Sequence, residues 1–152
     1  MAGRDFQGRI LILDYGSQTT QLIARRVREC HVYCEIHPFH VGVEAIRQFQ
    51  PKGIILSGGP ASVYEPEAPL NPPDLFQMGI PTLGICYGMQ LMTHVLGGEV
   101  SRSLKREYGR SELFIDDAGD LLAGLNHGTP IQVWMSHGDR IEVPPPGFRA
   151  IA

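Results

Sequence analysis

Three short apolar runs, each broken by a glycine-bearing turn, constrain this chain more than any other feature of its sequence. Arg9 to Asp14 (RILILD) leads into Tyr15-Gly16-Ser17, and Lys52 to Leu56 (KGIIL) leads into Ser57-Gly58-Gly59-Pro60. Pro81 to Ile85 (PTLGI) leads into Cys86-Tyr87-Gly88. Runs of this length, without polar alternation, belong to strands covered on both faces, as in parallel sheets. Val32 to His37 reads as a further strand. Gln18 to Cys30 reads as a helix, with Leu22, Ile23, Val27 and Cys30 on one face and Arg25, Arg26 and Glu29 on the other. Val43 to Phe49 is a short helix stopped by Pro51. The proline-rich, acidic stretch from Ala61 to Pro73 is an extended surface loop, Asp74 to Met78 a short helix closed by Gly79, and Tyr87 to Leu96 a helix ending at Gly97-Gly98. Strand and helix thus alternate. The pattern predicts an α/β domain with a mostly parallel central sheet flanked by helices.

The pattern changes after Glu99. Glu99 to Leu104, Ser111 to Ile115 and Ile131 to Met135 are β-like, with turn residues between them, and predict a small antiparallel extension. A new strand is expected from Phe148 to Ala152. With 152 residues the chain suits one domain, residues 1–152, with a single core. At 43% hydrophobic and 19% charged residues it has a globular composition, and its net charge of -3 offers neither a footprint for nucleic acid nor a polybasic membrane patch. The N-terminus has no apolar signal region, and the longest apolar runs are far too short to span a membrane. Three cysteines without a regular framework point to a reducing compartment, the cytoplasm. Cys30 and Cys34 read as structural thiols, and no histidine has the spacing of a metal ligand, so no metal is expected.

The chemistry concentrates at Gly84-Ile85-Cys86-Tyr87-Gly88. A strand entering G-x-C-x-G and leaving as a helix is the thiol counterpart of the nucleophile elbow G-x-S-x-G. The nucleophile sits on a strained turn, and only glycine on either side lets neighbouring backbone come close enough. The turn also puts Cys86 at a helix N-terminus, where the dipole and free N–H groups favour thiolate, the attacking form. A buried core cysteine is the competing reading of that position. Ser57-Gly58-Gly59-Pro60 weighs against it, because in a parallel sheet both turns fall at the carboxyl edge, where α/β sites form. A tight glycine turn there can aim N–H groups at a developing oxyanion, and the N–H of Tyr87, next after the nucleophile, can supply a second donor.

With GICYGMQ around Cys86 and SGGP upstream, the chain resembles the class I (triad-type) glutamine amidotransferases. LILDYGSQ at residues 11–18 and VWMSHGD at 133–139 are most similar to the branch of that family that serves GMP synthesis. The resemblance covers about Arg9 to Ile151 and implies the family's flavodoxin-like three-layer fold. It further implies that Cys86 attacks the side-chain amide of glutamine to give a glutamyl thioester, which water hydrolyses. Gly58, Gly59 and Tyr87 would form the oxyanion hole. Gln90 would face the substrate, and Ser136, His137 and Gly138 would form a turn that binds the amino-acid end of glutamine. The domain itself would need no cofactor. Ammonia would pass to a C-terminal synthetase domain of the same polypeptide, which activates XMP with ATP and Mg2+, in an intact enzyme that is a homodimer.

One departure stands out. The family takes its base and orienting carboxylate from a His-Pro-Glu motif, and none occurs here; the single His-Pro pair, His37-Pro38, continues with Phe39. The expectation is that the motif and the synthetase domain lie beyond Ala152, so that this stretch alone would be inactive. On a strand, His137 and Asp139 would share one face, which makes them a rival base and orienter for Cys86. Two further functional readings are a catalytically inactive glutamine-binding or regulatory module, and a glutaminase serving anthranilate or carbamoyl phosphate synthesis.

Overall fold

The strands form where the apolar runs predict them. In a computed structural model that describes residues 8–125 and 127–152, β1 (Arg9–Asp14), β2 (Tyr33–Pro38), β3 (Gly53–Leu56) and β4 (Thr82–Gly84) make a four-stranded sheet in the order β2-β1-β3-β4. Every pairing is parallel. The register sorts the side chains into two apolar faces. Ile12 lies between Ile36 and Ile55 on one face, while Leu11 pairs with Ile54 and Leu13 with Leu56 on the other. The first face is covered by helix α1 (Thr20–Glu29), whose Ala24 is buried with Ile12 and Cys34, and whose Ile23 and Val27 pack against them. On the second face Leu11, Leu13, Ile54 and Leu56 are buried, and helix α3 (Tyr87–Val95) lies close enough to bring Gly88 against Leu56. Sheet and helices therefore form three layers. Helix α2 spans Val43–Phe49, the predicted bounds, between an extended Gly42 and the left-handed Gln50 that precedes Pro51.

Local chemistry trimmed other boundaries. Helix α1 begins at Thr20 rather than Gln18, because the Ser17 hydroxyl accepts the Thr19 N–H (3.0 Å) and holds residues 17–19 in a turn. The helix expected at Asp74 to Met78 is a single 3-10 turn at Pro73–Leu75. Cys34 is buried in the α1 core and Cys30 is exposed at the end of α1.

The chain divides after Leu96 into a second unit, Gly97–Ala152. It is built on one long antiparallel hairpin, β5 (Glu99–Leu113) with β6 (Ile131–Val143), which forms its own two-stranded sheet. Here the burial alternates as a two-residue period demands. Tyr108, Arg110 and Glu112 are exposed together with their partners Ser136, Trp134 and Gln132, while Gly109, Ser111 and Leu113 are half-buried with Met135, Val133 and Ile131. The strand expected from Phe148 to Ala152 is absent. Phe148 closes a turn on the Pro145 carbonyl (3.0 Å), and the Ile151 carbonyl accepts the N–H groups of both Asp116 (2.9 Å) and Asp117 (3.0 Å). That double acceptance by one carbonyl is a loop contact. Among the described residues no helix is long and apolar enough to cross a membrane.

Candidate active site

The elbow is built as its sequence requires. Cys86 joins β4 to α3 with φ 51° and ψ -113°, a conformation that costs a non-glycine residue about 1–3 kcal/mol and persists only where its surroundings enforce it. They do. The Ile85 N–H donates to the Leu56 carbonyl (3.0 Å), and the Gly88 N–H donates to the carbonyls of Ser57 (3.1 Å) and Ile85 (3.0 Å). The N–H groups of Met89 and Gln90 close on the Cys86 carbonyl at 3.0 and 3.1 Å. The flanking glycines are sterically obligatory: a Cβ at Gly84 would lie 2.7 Å from the Met89 nitrogen, and one at Gly88 would collide with the Leu56 carbonyl. Against this buried frame the Cys86 side chain itself is exposed. A nucleophile needs that combination of rigid backbone and open thiol.

The second glycine turn lies against the elbow. A Cβ on Gly58 would sit 3.4 Å from the Cys86 Cβ and 3.5 Å from the Ser17 hydroxyl, while one on Gly59 would collide with the Tyr15 carbonyl. The ends of β1, β3 and β4 thus converge at the carboxyl edge, beside the point between β1 and β3 where the strand order reverses. Among the described residues, the backbone N–H groups of Gly58, Gly59 and Tyr87 have no protein acceptor, whereas that of Gly88 is taken. Unpaired N–H groups beside an exposed thiol can stabilise a tetrahedral oxyanion.

An aromatic cluster backs these turns, and nothing periodic in the sequence announces it. Tyr15 stacks on Phe39 (5.6 Å between centroids) and lies 5.5 Å from the Tyr87 ring. The Tyr15 hydroxyl donates to the Asn71 side-chain carbonyl, the Asn71 amide donates to the Phe39 carbonyl (2.7 Å), and the Tyr87 hydroxyl donates to the Pro69 carbonyl (3.1 Å). These bonds strap the 61–73 loop down, with Val63 and Asn71 buried, so it is less of a surface loop than its composition predicts. Burial pushes the Tyr87 phenol up to about 12, with the Glu65 charge adding to the effect, and burial likewise raises Tyr15. At neutral pH both hydroxyls are donors, as the strap requires.

The remaining predicted residues divide between the units. Gln90 is buried on α3, one turn beyond Cys86. Ser136, His137 and Gly138 lie on β6 in the second unit rather than in a turn: Ser136 is exposed opposite Tyr108, and His137 is opposite Glu107. Long-range pairing overrides the turn-like composition there. Gly138 falls where the register slips, between Asp139 opposite Arg102 and His137 opposite Glu107. The side chain of His137 lies outside the described residues. Around the thiol, among the described residues, no histidine or carboxylate is hydrogen-bonded to Cys86; His94, two turns along α3, instead meets the Tyr64 ring edge-on at 5.6 Å. Also among the described residues, no group of three or more His, Cys, Asp or Glu side chains is placed to hold a metal ion. Sequence reasoning missed Ser57, whose hydroxyl, fully buried, bonds both neighbouring turns. The only signal for it was its place before the glycine pair.

Residues 11–152 match the family model for class-I glutamine amidotransferases. With the elbow and its glycine turn in place, the chain belongs to that family. A GMP synthase (glutamine-hydrolysing) of Heliobacterium modesticaldum is 58% identical over 139 residues, which is 91% of this chain and 27% of that protein. The corresponding enzyme of Desulfotalea psychrophila is 56% identical over 144 residues, 95% of this chain and 28% of its own length. The chain therefore spans little more than a quarter of the curated relatives it matches. Among solved structures, a candidate GMP synthase protein from Thermoplasma acidophilum shares the fold with a TM-score of 0.75 at 24% identity, covering 95% of this chain and 71% of that one. A glutamine amidotransferase from Methylobacillus flagellatus does so with a TM-score of 0.67 at 21% identity, covering 93% and 59%.

Proposed function

We propose that this chain is the glutaminase part of a GMP synthase. The observation that carries the reading is the enforced positive-φ elbow that exposes the Cys86 thiol beside unpaired N–H groups. The Cys86 sulfur attacks the side-chain carbonyl carbon of glutamine, and the N–H groups of Gly59 and Tyr87, with Gly58 shaping the turn, stabilise the oxyanion. Collapse of that intermediate breaks the C–N bond. The nitrogen leaves as ammonia, carrying a proton from a general acid, and a glutamyl thioester remains on Cys86. Water then adds to the thioester, and glutamate and the thiol are released. Gln90 on α3 contributes to the substrate pocket. The general acid and base belong to a His-Pro-Glu segment outside these 152 residues.

The product ammonia passes to a C-terminal synthetase domain of the same polypeptide, where ATP and Mg2+ activate XMP for amination to GMP. The relatives' identity over nine-tenths of the chain, and its quarter share of their length, support that assignment. The intact enzyme is taken to be a cytoplasmic homodimer, in keeping with three free cysteines in the chain and with the family resemblance. The test uses the full-length polypeptide. Cys86→Ala is expected to reduce glutamine-dependent GMP formation on the order of 10⁴-fold or more, while ammonia-dependent formation from XMP and ATP continues. Glutamine-dependent turnover surviving in that variant would overturn the catalytic assignment. Amination of a different acceptor by the native protein would overturn the pathway assignment.

A further inference from the structure

The oxyanion turn has a buried hydroxyl at its base that the mechanism above does not use. Ser57 has no exposed surface. Its hydroxyl accepts the Tyr15 N–H (3.0 Å) and donates to the Gly58 carbonyl (2.8 Å), and its own carbonyl receives the Gly88 N–H (3.1 Å). One residue therefore ties together the ends of β1 and β3 and the first turn of α3. The bond to the Gly58 carbonyl matters most. That carbonyl and the Gly59 N–H belong to a single planar trans peptide unit, so they point in opposite directions and rotate together. Two glycines in succession would leave this peptide free to flip, because neither has a Cβ to block the alternative. Holding the carbonyl from behind fixes where the N–H points. Gly58 abuts Cys86, so the orientation of that peptide decides whether a donor faces the oxygen of the carbonyl under attack.

We propose that Ser57 is a positioning residue for glutamine hydrolysis: its hydroxyl locks the Gly58–Gly59 peptide so that the Gly59 N–H is presented to the oxyanion formed at Cys86. The inference rests on the glutaminase reading. Removing the hydroxyl leaves the thiol in place but lets the peptide sample orientations in which the donor is turned away. The cost then falls on the transition state, where the oxyanion exists, more than on bound glutamine.

The experiment compares two reactions of the same thiol in the full-length protein. Hydrolysis of glutamine passes through an oxyanion; alkylation of Cys86 by iodoacetamide, a displacement at a tetrahedral carbon, does not. For Ser57→Ala, kcat for glutamine hydrolysis is expected to fall about 10- to 100-fold. KM is expected to stay within about twofold, and the alkylation rate, read at the Cys86 peptide by mass spectrometry, to stay within about twofold of native. Should Ser57→Ala fail to fold, Ser57→Cys fills nearly the same space with a weaker donor and is expected to show the same split. An unchanged kcat in a folded variant overturns the inference, and so does a parallel fall of kcat and alkylation, which would mark a merely structural residue. Absence of glutaminase activity in the native full-length protein would instead defeat the glutaminase reading itself, so the two failures are distinguishable.

Discussion

The parallel-sheet unit and the hairpin unit solve the burial problem in opposite ways. In the first, strands of only three to six residues lie in a sheet with helices on both faces, and Leu11, Ile12, Leu13 and Leu56 are wholly shielded from solvent. In the second, strands of 15 and 13 residues pair only with each other, and Tyr108, Phe114 and Trp134 are each at least 60% exposed. Short strands suffice where helices supply the second and third layers; the hairpin relies on long strands that pair with each other across two register shifts. The difference bears on catalysis. The Cys86 elbow needs a frame that enforces a strained φ, and the layered unit supplies it through the hydrogen bonds of Ile85 and Gly88.

Truncating one side chain in each unit tests that contrast. The largest effect is expected for Leu13→Ala, which removes a fully buried side chain on the α3 face of the sheet. It should cost about 2–5 kcal/mol in urea unfolding of the chain. A loss below about 1 kcal/mol would mean that the first unit is no better packed than the second.

A smaller effect follows from the Tyr87 phenol. Its pKa in the folded state is raised to about 12 from an ordinary 10.0. Below pH 10 both folded and unfolded chains hold that proton, and its contribution to stability is fully present. Between pH 10 and 12 the unfolded chain releases the proton first, so stability declines as pH rises through that window. Tyr87→Phe should therefore lose the hydrogen bond to Pro69, at a cost of about 1 kcal/mol near neutrality, and show a flatter alkaline decline by circular dichroism. An identical alkaline profile in the variant would remove Tyr87 as its source. The smallest effect is expected in the hairpin. Trp134→Ser on its exposed face should change the unfolding free energy by less than about 0.5 kcal/mol; a loss of several times that would show that the face is covered.

Legibility differed along the same line. The strands β1 and β3, helix α2 and the Cys86 elbow could be read locally, because a buried run between turn residues, a helix closed by Pro51, and glycines flanking a thiol are each written within a few neighbouring residues. In sequence the hairpin reads as three separate β-like pieces. Glu107 to Gly109, in its polar middle, pair with Met135 to His137 of the MSHGD stretch across about thirty residues. Residues 148–152 look strand-like in isolation, but the Ile151 carbonyl is taken by Asp116 and Asp117 instead.

By itself, the sequence determined that this chain is an α/β protein with a cysteine on a strand–helix elbow at the carboxyl edge of a parallel sheet. Those features follow from period, turn chemistry and the steric demands on Gly84 and Gly88. Only the tertiary structure decided the strand order β2-β1-β3-β4, the strapping of the 61–73 loop by Tyr15 and Tyr87, and the bonds that Ser57 makes at the base of the 57–60 turn. Each of these depends on partners far apart in the chain, such as Ser57 with Tyr15 and Asn71 with Phe39. Such contacts leave no periodic trace in the sequence, because what selects them is the space and the unpaired donors that remain once the layers have closed.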